Sequence, residues 1–398
     1  MTEKPLRVLH IVPSLDPDSG GPARSVPALC AALHALGIHV TLCTFDHIQE
    51  RLPTDQPFPI IRFSSWPGTR QVPTLSYYKQ MGKTAQGFDL VHLHSLWNVS
   101  VSLSSSVCRK LSTPYVITPR GMMQGGATNR KRLAKWLYFQ LIERKTIRNA
   151  ACFHFLTQEE ARQSQRYLPA SMPTCVVPNG IEITSLDKTK RNAFKQTFPG
   201  LRDKRIALYL GRLHETKGLA LQMAAFERLA KDFSDLVWVL VGPDQGERVR
   251  ISAWAQEQRL GDRVVFTGLL PHERSMEALA DADVLLFSSI AGHEGQPMAV
   301  TEALGLGVPI VMTESVGVPE LGKARSAVVV PSSIDAFANA IAQLLRNPDE
   351  AFTLRQTARQ YAREHLAWPK VAEAMIQVYD GVLQRQPAPR AVARGKIS

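Results

Sequence analysis

Residues 284–313 read VLLFSSIAGHEGQPMAVTEALGLGVPIVMT. An apolar run at 284–288 leads into a glycine-containing loop, a helical pattern at 299–306 and a second apolar run at 309–313. Strand, loop, helix, strand is the unit from which parallel sheets with helices on both faces are built. The same alternation continues outward in both directions. Later in the chain, strand patterns fall at 206–210, 236–241, 264–267 and 327–330, with a helix at 218–231. Earlier, they fall at 7–12, 40–44, 90–94, 115–118 and 152–156, with a helix at 25–36. A chain of 398 residues exceeds one ordinary domain. The polar stretch 184–195, followed by a fresh strand at 205, predicts two doubly wound α/β domains, residues 1–182 and 183–367. A linker is expected near 180–203, a final helix at 368–385, and a disordered basic tail at 386–398.

Hydrophobic residues make up 44% of the chain and charged residues 21%, the balance of a soluble globular protein. No apolar run reaches the roughly 18–20 residues of a membrane-spanning helix. MTEKPLRVLHIVPSL runs straight into a strand pattern without an export signal, so a cytoplasmic location is expected. Cys30, Cys43, Cys108, Cys152 and Cys175 show no CxxC spacing and read as buried, reduced thiols, with no metal site. The net charge of +12 points to anionic partners, yet no nucleic-acid motif accompanies it, which excludes that class. The densest basic segment is 129–148, NRKRLAKWLYFQLIERKTIR. Leu133, Leu137 and Leu141 recur every four residues, the spacing of an amphipathic helix. Two readings stand for it: a surface helix with a solvated basic face, or a peripheral contact with an anionic membrane or a phosphate-bearing acceptor.

Ligands of such domains sit at the C-terminal ends of strands, where loops feed helix N-termini. Gly20 and Gly21 follow the first strand there and would let the backbone approach a ligand; they also read as a plain turn. The loop LGRLHETKG at 210–218 places Gly211, Arg212 and Lys217 after another strand. A guanidinium and an ammonium so spaced can grip a diphosphate, or be two ordinary surface cations. In the opening stretch, Pro297 suits a first helical position, with Glu294 before the helix and Glu302 inside it. Such acids can accept hydrogen bonds from the diols of a ribose and a hexose, or form salt bridges. His92 and His94 end the strand at 90–94, with Trp97 just beyond. His92 reads as a packing residue, while His94 and Trp97 are candidates for an acceptor side.

The pair Glu294 and Glu302 within EGQPMAVTEALGLGVPIV resembles the signature of family 4 glycosyltransferases. Gly211-Arg212 with Lys217-Gly218, Gly20-Gly21, Val177-Pro178-Asn179-Gly180 and Val318-Pro319-Glu320 are similar to the same family, in the same order. The resemblance covers residues 6–385 and implies the GT-B fold, two Rossmann-like parallel-sheet domains facing across a cleft, with the last helix crossing back onto the first. It implies transfer of a hexosyl unit from a UDP- or GDP-linked sugar to a saccharide or lipid-linked saccharide, with retention and with no metal or other cofactor. Arg212, Lys217 and Glu294 would be catalytic. Gly20, Gly21, Gly211, Gly268, Leu270, Gly295, Gln296, Pro297, Met298 and Glu302 would hold the donor, the loop 268–272 lying by the base.

Two positions depart from the family. Arg120 in Thr118-Pro119-Arg120-Gly121 stands where many relatives carry a histidine, and is expected to donate hydrogen bonds to a sugar hydroxyl or an acceptor anion. Gln296-Pro297 replaces the usual aromatic residue or glycine, which leaves the hexose open. An epimerase of this architecture and a non-catalytic sugar-nucleotide-binding subunit are the alternatives. The missing GxGxxG speaks against a nicotinamide enzyme.

Overall fold

The computed structural model describes residues 5–16, 21–46, 56–66, 72–74, 76–124, 137–290 and 295–385. Its thirteen described strands form two sheets. The first holds β1 (Arg7–Ile11), β2 (His39–Asp46), β3 (Ile60–Ser64), β4 (Leu90–His94), β5 (Tyr115–Thr118), β6 (Cys152–Phe155) and β7 (Thr174–Val176), in the order β3-β2-β1-β4-β5-β6-β7. The second holds β8 (Arg205–Leu210), β9 (Leu236–Val241), β10 (Val264–Gly268), β11 (Val284–Phe287), β12 (Ile310–Thr313) and β13 (Val328–Val330), in the order β10-β9-β8-β11-β12-β13. Every named strand pair is parallel. Central strands such as β4 and β9 are buried along their whole length because helices cover both faces, the two histidines of β4 being buried with the rest. In each sheet the strand order reverses once, between β1 and β4 and between β8 and β11. A crevice opens at such a reversal.

The stretch expected to be a linker is folded. It forms helices Ile183–Asp187 and Ala193–Thr197, and Leu186, Phe194 and Leu201 enter the core under the second sheet. The Asp281 carboxylate accepts the backbone N–H groups of Asn192 and Lys195, fixing the segment. Isolated apolar residues among charges carry no clear period, yet each finds a socket. The chain crosses between the sheets twice, and the crossings pair: Ile181 N–H donates to Leu366 C=O at 2.7 Å, and Trp368 N–H to Ile181 C=O at 3.3 Å. Past that joint the helix Trp368–Gln384 packs Val371, Met375, Tyr379 and Val382 against Val8, Leu29 and Val40 of the first unit. Gly180 makes room for the joint, since a Cβ there would lie 2.5 Å from the Trp368 ring.

Other boundaries shift. The first helix runs Gly21–Ala35, four residues earlier than expected, and carries Pro27 inside it. Pro297 caps the helix Met298–Leu306 from outside, in extended backbone, where the sequence suggested the first helical residue. Residues 129–136 of the basic segment lie outside the described residues. Phe139–Glu143 is π-helical and Arg144–Arg148 α-helical. Its buried residues there are Glu143, Thr146 and Ile147, while Leu137, Leu141 and Ile142 are exposed, so the described members of the expected leucine stripe, Leu137 and Leu141, face outward. All five cysteines are free thiols, four of them buried.

Candidate active site

The two halves of the candidate site are built at the two strand-order reversals. After β8, Gly211 N–H donates to Val241 C=O at 2.9 Å, and Leu213 N–H to Pro243 C=O at 2.9 Å, so the loops after β8 and β9 run side by side. Gly242 is obligatory there: at φ +144° an added Cβ would overlap the Gly211 carbonyl oxygen. The turn Glu215–Lys217 is capped by His214, whose Nδ1 accepts Thr216 N–H at 3.2 Å. Ser288 Oγ, beyond β11, donates to the carbonyls of Lys217 and Gly218 at 3.1 and 3.0 Å. Ile290 N–H reaches Thr216 C=O at 2.9 Å. The loop that carries both cations is thereby stitched to the loop that feeds the helix Met298–Leu306. Arg212 is exposed, its Nη1 donating to Gln245 Oε1 at 3.2 Å, and Lys217 is half-buried. Gly268 (φ +71°) accepts Gly242 N–H at 2.9 Å, and Leu270 packs partly buried against the core.

Four contacts close the cleft. Gly21 faces Met298, whose Cγ would be 4.0 Å from a Cβ on the glycine. Gly295 lies against the backbone of Arg120 and Gly121, 3.3 Å from an added Cβ. Asn179 N–H donates to Gln296 Oε1 at 2.5 Å, and Gln296 Nε2 donates to Asn179 C=O at 3.3 Å and Thr301 Oγ1 at 3.1 Å. Gln296 is therefore spent on the joint between the units, where the sequence reading aimed it at the donor sugar. Finally, Arg24 Nη2 reaches Glu302 Oε1 at 2.7 Å and His272 Nδ1 at 2.8 Å. Burial holds the Glu302 carboxyl above its usual range, against the opposing pull of Arg24. Burial and the same guanidinium push His272 down to about 4, so its ring is neutral and accepts.

Arg120 adopts a left-handed backbone (φ +55°). Its Nη1 donates to Ser25 Oγ at 2.9 Å and Asn179 Oδ1 at 3.3 Å, and Nη2 to His94 Nδ1 at 3.2 Å. Its Nε has no partner among the described residues. Burial lowers its pKa to about 10, and the guanidinium stays charged at neutral pH. Buried Glu160 supports the turn by accepting Gly121 N–H at 2.5 Å and Leu156 N–H at 2.8 Å. His94, expected on an acceptor surface, is fully buried and bonded to His10 at 3.0 Å. Trp97 (φ +58°) is half-buried, its Nε1 donating to Met122 C=O at 2.9 Å and its N–H to the buried Glu143 at 2.7 Å. His92 is a satisfied core histidine, bonded to Tyr379 and Thr118 at 2.7 Å each. Glu294 and Gly20 lie outside the described residues.

Ring nitrogens of His10, His92 and His94 lie within 4.8 Å of one another, close enough to suggest metal ligands. Hydrogen bonds to neighbouring groups already occupy them. Arg24, His10, His154, Glu143, Glu160 and Tyr379 all escaped the sequence reading, and His272 entered it only as the end of the loop 268–272. No local pattern marks them, because each acquires its role from a partner far along the chain.

Two parallel-sheet units closing over strand-end loops define a GT-B protein. Residues 190–365 match the family model of glycosyl transferases group 1, and residues 20–180 that of the glycosyl transferase 4-like domain. TuaC of Bacillus subtilis (strain 168), named for teichuronic acid biosynthesis, is 29% identical over 257 residues, 64% of this chain and 60% of that protein, so the match spans less than two thirds of the relative. A sucrose-phosphate synthase from Thermosynechococcus elongatus superposes with a TM-score of 0.74 at 23% identity, over 96% of this chain and 100% of the other. HepE from Anabaena, solved with UDP, gives 0.75 at 17% identity, over 94% and 100%. The chain thus carries two glycosyl transferase domains, a 4-like domain followed by a group 1 domain.

Proposed function

We propose that this protein moves a hexosyl unit from a UDP- or GDP-linked sugar to a hydroxyl of a saccharide or lipid-linked saccharide acceptor, retaining the anomeric configuration and using no metal. One observation carries the reading. A buried carboxylate, Glu302, sits on the helix at the mouth of the cleft, and the loop bearing Arg212 and Lys217 is stitched to the segment leading into that helix. In the proposed complex Glu302 accepts the ribose hydroxyls. Arg212, Lys217 and the free N–H groups at the start of Met298–Leu306 take the diphosphate. These cations stabilise the charge that grows on the leaving phosphate, the role a bound metal would otherwise fill. Arg120 offers its unpaired Nε–H to a sugar or acceptor oxygen, and Glu294 is assigned to the hexose. The name of TuaC and the UDP in the HepE structure support this reading by similarity.

Among the described residues no helix is long and apolar enough to cross a membrane. We assign the exposed Leu137, Leu141 and Ile142, beside Arg144, Lys145 and Arg148, to peripheral docking on the inner face of an anionic membrane. Leu141→Glu should abolish sedimentation with phosphatidylglycerol vesicles and leave transfer to a soluble acceptor intact. The decisive experiment on the reaction is a panel of UDP-, GDP- and ADP-sugars in the presence of EDTA, with the product anomer read by NMR. An inverted product, or donor turnover only with added divalent metal, would refute the reading.

A further inference from the structure

Arg120 has only donors to offer, and it opens a chain of buried groups. Its Nη2 faces His94 Nδ1, so that nitrogen accepts and His94 carries its hydrogen on Nε2. That hydrogen goes to His10 Nδ1 at 3.0 Å. His10 Nε2–H then faces the Tyr379 hydroxyl oxygen at 3.4 Å, and the hydroxyl hydrogen points to His92 Nδ1 at 2.7 Å. His92 Nε2–H donates to Thr118 Oγ1 at 2.7 Å, and Thr118 donates to His154 Nδ1 at 2.8 Å. His154 Nε2–H ends on the Val177 carbonyl at 2.7 Å.

The first member can only give and the last can only accept. Both ends impose the same direction, so every hydrogen in between is assigned without a free choice. All four imidazoles are then neutral Nε2–H tautomers. Neutrality agrees with burial, which lowers the pKa of each ring. The chain almost closes on itself: two residues beyond Val177, Asn179 Oδ1 accepts from Arg120 Nη1. It also spans the fold, joining β1, β4, β5 and β6 to Tyr379 on the helix that returns from the second unit.

We infer that this directed hydrogen-bond chain fixes the Arg120 guanidinium in the cleft, and that Tyr379, His10 and His92 are positioning residues acting through it. The inference rests on the reading of Arg120 as a ligand-facing cation. Three of the guanidinium's five N–H groups are consumed by Ser25, Asn179 and His94, which leaves Nε–H and one Nη2 hydrogen for an incoming oxygen. A His94 ring with its hydrogen on Nδ1 would turn a donor toward a donor and push the arginine away.

Two measurements test it. In protein labelled with ¹⁵N-histidine, the four buried rings should each show a protonated Nε2 and a bare Nδ1 near neutral pH. A Nδ1–H tautomer at His94 or His10 overturns the chain, whatever the enzyme's activity. Next, Tyr379→Phe removes one hydroxyl and no packing volume beyond it. It should lower kcat about three- to tenfold, the effect of one buried hydrogen bond, with donor KM within about twofold. Introduced into Arg120→Ala, the same substitution should change kcat by less than about twofold, because its effect passes through the arginine. Full additivity of the two substitutions overturns the positioning role. If Arg120→Ala itself leaves kcat unchanged, the reading of Arg120 fails while the tautomer result still decides the chain.

Discussion

Arg24 and Glu302 form an ion pair across the cleft, 2.7 Å between Nη2 and Oε1, with the arginine side chain 51% exposed and the carboxylate 7%. Arg24 stands on the first turn of the Gly21–Ala35 helix and Glu302 on the helix of the other unit. The carboxylate proposed for a ribose is thus held by a guanidinium in the ligand-free form. A ribose must displace it. A half-exposed pair contributes about 0.2–1 kcal/mol, so Arg24→Ala should tighten UDP or GDP binding modestly, up to about fivefold. Calorimetric titration checks this. Weaker binding would mean that Arg24 holds the donor instead of blocking it.

Lys217 and Arg212 belong to a loop held by backbone bonds and by the Ser288 hydroxyl, with Arg212 also reaching Gln245 on the loop after β9. Those backbone and Ser288 bonds do not pass through either side chain's charge, so truncating one should leave the loop's course in place. Lys217→Ala should cut kcat/KM by about 10²–10³, as expected for one lost transition-state donor. Equal losses in donor binding and in kcat/KM would instead assign the lysine to ground-state affinity. Isothermal titration of UDP beside steady-state kinetics separates these outcomes.

Much of this architecture was open to reading in the sequence, for a physical reason. β4, β5 and β9 were legible residue for residue because strands covered on both faces are short, mostly apolar runs, unbroken in β9 and interrupted in β4 only by His92 and His94. The edge strands β3 and β7 were not: β3 has a single buried residue, Phe63, and β7 has none, so neither shows a run or an alternation. The same contrast holds at the site. Lys217 and Glu302 announce themselves through strand-end loops and helix starts, which are local. Gln296 was placed on the right loop but not on its partner, since Asn179 lies 117 residues away. Tyr379 and His10, 369 residues apart, have no local signature at all.

The four buried imidazoles bear on acid stability. Folded-state pKa values fall to about 3 for His10 and about 4 for His154, below the ordinary 6.5, because burial penalises the charged ring. His92 and His94 shift the same way. For a depressed histidine the stability is fully present above the unfolded value and is lost as pH falls toward the folded one. Between pH 6.5 and about 4 the unfolded chain binds protons that the folded chain refuses. Each ring then removes up to about 1.4 kcal/mol per pH unit. Urea unfolding at pH 7.5, 6 and 5 should show a steep decline, which His154→Gln makes shallower. A flat profile across that window would contradict neutral buried rings.

Glu143 supplies the opposite sign. Its Oε1 accepts Trp97 N–H at 2.7 Å, its Oε2 has no partner among the described residues, and burial pushes the carboxyl up to about 7. The unfolded chain releases this proton near pH 4.5, whereas the folded protein keeps it until about pH 7. Stability is consequently lost as pH rises through that interval, the reverse of the histidine effect. Glu143→Gln retains an oxygen for Trp97 and removes the titration. Its stability relative to the parent should therefore increase between pH 5 and pH 8, by an amount on the order of 3 kcal/mol at most. Because both proteins carry the same histidines, the acid decline cancels in the difference and the Glu143 contribution stands alone. A difference that does not vary with pH would mean that the carboxyl is ionised in the fold and compensated by a group not seen at its Oε2.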